Sequence, residues 1–183
     1  TRDIVGDDEI FIVLGDTICE YDVKELLDMP CSALGVKRVD DPRDFGVVEL
    51  GEDGFITRVV EKPQIPKSNM ALVGIYRIKE SKILFDCIEN NMRNHVMSRG
   101  EFSITDAIEC MIEQGVKFQS FRVQNWFDCG KKETLLESNA LIVDACRHVV
   151  RDAHSVVSLA RRPVLFTLAR ALQPDADRVV VVG

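Results

Sequence analysis

The sequence has no C-x-x-C pair: its six cysteines stand at 19, 31, 87, 110, 129 and 146, never closer than twelve residues. That spacing excludes dithiol redox motifs and zinc ribbons. Most of these cysteines sit inside apolar patterns, so free buried thiols in a reducing cytoplasm are expected. Histidine is scarce as well: His95, His148 and His154 show no metal-ligand spacing with a carboxylate or cysteine, so no histidine-based metal centre is expected. No run approaches the roughly 18 apolar residues of a membrane span, and the amino end carries no signal-peptide pattern. An excess of basic charge is lacking too. With a formal charge of -7, neither nucleic acid nor a membrane is expected as a partner, because phosphate backbones and anionic lipids attract basic surfaces. Any bound phosphate must then be held by a metal or by a few placed cations.

What remains is an ordinary globular balance, 46% hydrophobic and 29% charged over 183 residues, a length that suits one domain with a sizeable core. The first apolar run, Glu9 to Leu14, reads as a strand covered on both faces, as in a parallel sheet. Gly15 and Asp16 close it. A carboxylate at the carboxyl end of such a strand either faces a ligand crevice or bonds its own turn. Asp22 and Glu25 have capping-box character ahead of a short helix through Leu26 and Leu27 that stops by Pro30. Ser32 to Val39 follows as a strand, and Asp40, Asp41 and Pro42 form a solvated turn.

Phe45 to Leu50 and Phe55 to Val60 are apolar, β-branched-rich runs joined by Gly51, Asp53 and Gly54, the pattern of a hairpin. The second strand delivers Glu61 and Lys62, adjacent and of opposite charge, into Pro63. Side chains alternate along a strand, so the two point apart unless the strand breaks there. A solvated strand end and a binding site are both open readings of the pair. Ala71 to Ile78 reads as a further strand, interrupted at Gly74, where a missing side chain lets another group approach the backbone.

Two helices are expected next. One runs from about Glu80 to Met92, and the other opens on Ser103 and Asp106, buries Ile104, Ala107, Ile108, Met111 and Ile112, and ends near Gly115. Between them 90–100 reads as polar loop. Lys117 to Val123 alternates like a strand and delivers Trp126 and Asp128 ahead of a helix through Leu135, Leu136, Asn139, Ile142 and Val143. Asp128 thus repeats the situation of Asp16, and two such carboxylates could converge on one divalent cation, which prefers hard oxygen ligands. Alone, Asp128 also suits a helix N-terminus, and Trp126 suits the core.

Taken together, Gly15-Asp16, Phe45-Gly46-Val47, Glu61-Lys62-Pro63, Ser68-Asn69, Val73-Gly74-Ile75-Tyr76, Gly100-Glu101 with Ile104-Thr105-Asp106, and Trp126-Phe127-Asp128-Cys129-Gly130 resemble the sugar-phosphate nucleotidyltransferases of the glucose-1-phosphate thymidylyltransferase type, also called NDP-sugar pyrophosphorylases. The resemblance covers about Glu9 to Val143. It implies an α/β, Rossmann-like fold with a mostly parallel mixed sheet, in which a nucleoside triphosphate and a sugar 1-phosphate give a nucleotide-sugar and pyrophosphate. It also implies a cytoplasmic protein that could form homo-oligomers. On this likeness Asp16 and Asp128 hold Mg²⁺, Glu61 and the backbone at Gly46 bind sugar hydroxyls, and Lys62 grips the sugar phosphate. Gly74 and Tyr76 line the sugar pocket, and Trp126 packs beside Asp128. Metal and lysine would neutralise charge in the transition state, making Lys62, Asp16 and Asp128 the catalytic set.

One departure matters. Family members open with a strand and a Gly-rich loop with a Gly-Thr-Arg core that cradles the triphosphate, and neither is found here. Residues 1–143 are therefore expected to be the later part of a nucleotidyltransferase domain, N-terminally incomplete, carrying the sugar and metal half of the site and inactive alone. In residues 144–183, Pro163-Val164-Leu165 and Val179 to Val182 are similar to the first turns of a left-handed β-helix, whereas 160–162 and 167–172 read as a short basic amphipathic helix. A non-catalytic sugar-nucleotide sensor or regulatory subunit on the same fold is the alternative. A metal-dependent glycosyltransferase is disfavoured because no D-x-D follows the first strand.

Overall fold

The computed structural model describes residues 2–130, Asn139 and residues 181–182. In chain order the elements are α1 (Arg2–Val5), β1 (Ile10–Val13), β2 (Thr17–Glu20), α2 (Val23–Asp28), β3 (Ser32–Arg38), β4 (Gly46–Leu50), β5 (Phe55–Glu61), β6 (Met70–Ile78), α3 (Ser81–Arg93), α4 (Ile104–Glu113), β7 (Phe118–Arg122), β8 (Asn125–Asp128) and β9 (Val181–Val182). Strand β6 is the spine. It is buried along almost its whole length, with β3 antiparallel on one edge and β1 and β4 antiparallel on the other. The pairings from β6 through β4, β5, β7 and β3 return to β6, so five strands close on one another. Register shifts between Leu34 and Val36 and between Glu49 and Leu50 supply the local bending that closure requires.

The expected mixed α/β architecture is present. Its parallel pairs are β3–β7 and β1–β9, and the other described pairs run antiparallel. The antiparallel share comes from the β4–β5 hairpin and from β6, which returns between strands entering from the opposite end. Both faces of the sheet are covered, which is why β1 reads as an unbroken apolar run and β6 as one interrupted at Gly74. On one face, Leu84 and Cys87 of α3 and Ala107, Ile108 and Met111 of α4 pack on Ile10, Ile12, Leu34, Val36, Leu72 and Ile78. On the other, Leu26 of α2 joins Ala33, Val73, Ile75, Phe121 and Val123, with Cys19, Tyr21 and Trp126 against them.

Most local expectations hold. Asp22 caps α2 by accepting from the Lys24 and Glu25 amides at 2.9 and 3.1 Å. Ser103 caps α4 by accepting from the Thr105 amide at 3.1 Å. Asp106 does not complete a capping box, because its Oδ1 accepts instead from the Ser98 hydroxyl at 2.8 Å. Buried Arg77 of β6 ion-pairs with Glu9 and donates to the Leu26 and Met29 carbonyls at 2.7 and 3.0 Å, satisfying the carbonyls at the end of α2.

Two expectations are corrected. The stretch after Asp16 and the stretch before Asp128, read as turn and junction, are strands β2 and β8, which pair with each other as a separate two-stranded sheet. Cys87 and Cys110, expected as free thiols, form a disulfide between α3 and α4 with Cα atoms 5.8 Å apart, whereas Cys19, Cys31 and Cys129 are free. Val181 and Val182 pair in parallel with Phe11 and Ile12. Residue 139 lies in a helix, but the rest of that expected helix and of the tail readings falls outside the described residues. Among the described residues, no helix is long and apolar enough to cross a membrane.

Candidate functional site

A cleft of about 610 Å³ opens where β2, β8, the ends of β4 and β5, the middle of β6 and the start of α4 meet. Asp16, Gly46, Glu61, Lys62, Gly74, Tyr76, Trp126 and Asp128, the residues singled out in the sequence, all line it.

The floor depends on Gly74, whose φ of +82° belongs to glycine rather than to a branched residue. Its carbonyl accepts from the Leu14 amide at 2.9 Å. A Cβ there would stand 2.7 Å from Thr17 Oγ1 and 3.1 Å from Leu14 Cβ, so the bare backbone is what lets the turn after β1 close down on β6. Tyr76, 2% exposed, sits two residues on. Burial pushes its phenol well above the ordinary range, and the Glu61 and Asp16 carboxylates add to the shift.

One wall is the β2–β8 pair. Its register sets Thr17 opposite Asp128, and the Cys129 amide donates to the Asp16 carbonyl at 2.8 Å. This pairing, absent from any local pattern, is what brings the two distant carboxylates together. Asp16 Oδ2 and Asp128 Oδ1 lie 2.9 and 3.1 Å from the point where Gly130 would carry a Cβ. The Gly130 amide donates to Asp128 Oδ1 at 2.9 Å. Two hard oxygens thus face a gap that a side chain would fill. Among the described residues, no group of three or more His, Cys, Asp or Glu converges as a metal site. A two-carboxylate donor set suits Mg²⁺, which keeps waters and takes its remaining ligands from substrate phosphates, so the residues fit that ion.

The opposite wall resolves the question of Glu61 and Lys62. Lys62 adopts φ +44°, a left-handed turn that breaks the strand alternation, and its amide donates to the Phe45 carbonyl at 3.0 Å. Both side chains therefore line the same cleft, with Lys62 Nζ 3.5 Å from Glu61 Oε1. Glu61 Oε2 accepts from the Thr105 hydroxyl at 2.7 Å. Opposite Glu61 in the ladder stands Gly46, where a Cβ would meet Leu72 at 2.9 Å, Thr105 Oγ1 at 3.1 Å and Glu61 Oε2 at 3.2 Å. Glycine is required there by packing. Beside it the Phe45 and Trp126 rings meet edge to face, centroids 4.8 Å apart. The Trp126 indole Nε1 is buried without a hydrogen-bond partner.

Sequence reasoning missed Arg99 and gave Thr105 no role. Arg99 and Gly100 occupy the middle of the Ser98–Glu101 turn, with φ +52° and +83°, and the Arg99 guanidinium donates to the Lys62 carbonyl at 3.0 Å. The Arg-Gly pair in a polar stretch was the available signal. Its arrival beside Lys62 depends on how α3 and α4 pack.

The model of the nucleotidyl transferase family matches residues 1–145. The low-salt glycan biosynthesis nucleotidyltransferase Agl11 of Haloferax volcanii is 36% identical over 149 residues, 78% of this chain and 40% of that protein. A glucose-1-phosphate thymidylyltransferase of Streptomyces griseus is 34% identical over 150 residues, 79% of this chain and 41% of that protein. The chain thus spans about two fifths of the length of these relatives. Among solved structures, a Bacillus anthracis protein described as a glucose-1-phosphate thymidylyltransferase, in complex with sucrose, superposes with a TM-score of 0.62 at 32% identity over 76% of this chain and 56% of that one. An apo UDP-glucose pyrophosphorylase gives the same TM-score at 23% identity, which supports the Rossmann-like fold. By fold, cleft and sequence, the chain belongs to the nucleotidyl transferase family.

Proposed function

We propose that this cleft binds a sugar 1-phosphate beside Mg²⁺ and provides the sugar side of nucleotidyl transfer from a nucleoside triphosphate, giving a nucleotide-sugar and pyrophosphate. The observation that carries the reading is the division of charge across the cleft. Glu61 and Lys62 stand together on one wall, and Asp16 and Asp128 converge on the other. A sugar 1-phosphate has matching ends, hydroxyls for a carboxylate and a dianion for cations.

Glu61 Oε1 and the backbone at Gly46 take the hydroxyls, with Oε2 held by Thr105. Lys62 and neighbouring Arg99 take the phosphate, and Trp126 and Tyr76 shape the sugar pocket. Asp16 and Asp128 would hold Mg²⁺, which when bound supplies charge neutralisation at phosphate oxygens. The sugar phosphate oxygen is already anionic, so it attacks the α-phosphorus without a protein base. A new O–P bond forms as the bond to the departing pyrophosphate breaks, and Lys62 offsets the charge that spreads over the oxygens. In this reading the chain by itself binds sugar phosphate without turning over triphosphate.

Calorimetric titration of the chain with glucose 1-phosphate and with mannose 1-phosphate, in the presence of Mg²⁺, tests the proposal. Saturable binding to at least one of them, weakened about tenfold or more by Glu61→Ala and by Lys62→Ala, is expected from the loss of charged hydrogen bonds. Binding that neither variant changes, or that inorganic phosphate matches in affinity, overturns it.

A further inference from the structure

We propose that the Cys87–Cys110 disulfide is a redox-sensitive staple that governs how firmly the loop between α3 and α4 walls the cleft. The bond joins the middle of α3 to the middle of α4, and the chain it encloses contains the whole inter-helix loop. That loop brings Arg99 to the Lys62 carbonyl, and the first turn of α4 brings Thr105 to Glu61. Little buried apolar surface anchors it. Val96, Met97 and Phe102 are 44%, 42% and 48% exposed. What holds it besides the disulfide is a few polar contacts, including Ser98 to Asp106 and the Ser98–Glu101 turn. A segment so placed opens easily unless its ends are tied, and a cross-link across the two helices restricts that opening.

The bond is also within reach of solution. Cys87 is fully buried, but Cys110 is only half-buried. Exposed Gln114 covers the bond from the solvent side, donating through one amide nitrogen to both sulfurs at 3.1 and 3.3 Å. The thiolate of a dithiol reductant attacks Cys110 Sγ, the S–S bond breaks, and the Cys87 sulfur leaves and takes a proton. The second thiol of the reductant then displaces Cys110, releasing it as a thiol. Two electrons pass to the protein, and the dithiol ends as its cyclic disulfide. A small-molecule disulfide reverses the exchange.

Hydrogen exchange on the full chain tests this without reference to any substrate. The chain is compared after treatment with oxidised glutathione and with dithiothreitol, and thiol alkylation with mass spectrometry reports the state of Cys87 and Cys110. Reduction is expected to speed exchange of the 96–103 amides roughly tenfold while leaving β6 amides unchanged. Cys110→Ser, at the half-buried position, is expected to show the fast pattern in both buffers. The Cys87→Ser, Cys110→Ser double variant should match it. Two alkylatable thiols at 87 and 110 after oxidised glutathione overturn the proposal. So does equal exchange at 96–103 in the oxidised and reduced chain.

Discussion

Thr105, on the first turn of α4, donates its hydroxyl to Glu61 Oε2 at the end of β5 across 2.7 Å, and it is 3% exposed where it does so. The contact joins the helical layer to the hairpin and leaves one carboxylate oxygen of Glu61 for the cleft. Thr105→Val keeps the shape and removes the donor. Because a part-buried carboxylate loses its partner, chemical denaturation should show a loss of about 1 kcal/mol, and glucose 1-phosphate affinity should fall. Thr105→Ser should restore both. A binding defect that serine does not rescue would mean the hydroxyl is not what positions Glu61.

Lys62 offers a way to separate strain from function. Its φ of +44° costs a non-glycine residue about 1–2 kcal/mol. Lys62→Gly should therefore be more stable than Lys62→Ala by about 1 kcal/mol in urea titrations, while both lose sugar-phosphate binding alike. Equal stability of the two variants would show that the left-handed turn is not maintained in solution.

Gly130→Ala places a methyl 2.9 Å from Asp16 Oδ2 and 3.1 Å from Asp128 Oδ1. Divalent-cation binding, read with Mn²⁺ by paramagnetic resonance, should weaken roughly tenfold, in the range of changes that re-aim metal ligands. Asp128→Asn and Asp16→Asn should weaken it further. The midpoint of thermal unfolding without metal should stay near that of the parent for Gly130→Ala, since that residue is exposed.

Glu109 supplies a pH dependence. Its Oε2 accepts from the Val59 amide at 2.6 Å, and burial raises its pKa above the ordinary glutamate value, outweighing that hydrogen bond and nearby Arg58. A raised native pKa means the folded chain holds this proton more tightly than the unfolded chain. Its contribution to stability is therefore full below the unfolded pKa and is lost as pH rises through the folded one. Glu109→Gln removes the cost of ionisation, so it should be more stable than the parent at neutral pH. The gap should narrow as the pH falls through the raised pKa of the folded chain and reach its minimum below that of an ordinary glutamate. A gap that is constant with pH would assign the effect to packing instead.

Local chemistry made much of this protein legible. Asp22 and Ser103 marked helix starts because a short polar side chain satisfies free amides wherever a helix begins. The Gly51 to Gly54 turn marked the hairpin, and Gly74 marked a close backbone approach. The motif order placed the candidate site residues before any of them could be seen together. Strands β2 and β8 escaped notice, because four-residue strands that pair only with each other leave no periodic signal. For the same reason spacing alone left the convergence of Asp16 and Asp128 open until their ladder set Thr17 opposite Asp128.

By itself the sequence determined most of the segments that form helices and strands, though not β2 and β8, and which residues bear charge, since these follow from side-chain size, polarity and spacing along the chain. Tertiary structure alone decided which charges meet. Glu61 and Lys62 share a wall because one residue turns left-handed. Arg99 reaches them, and Cys87 finds Cys110, because α3 and α4 dock side by side on the sheet. The last two contacts join residues far apart in the sequence that no local rule relates, and only the packing of the helices on the sheet brings them within reach.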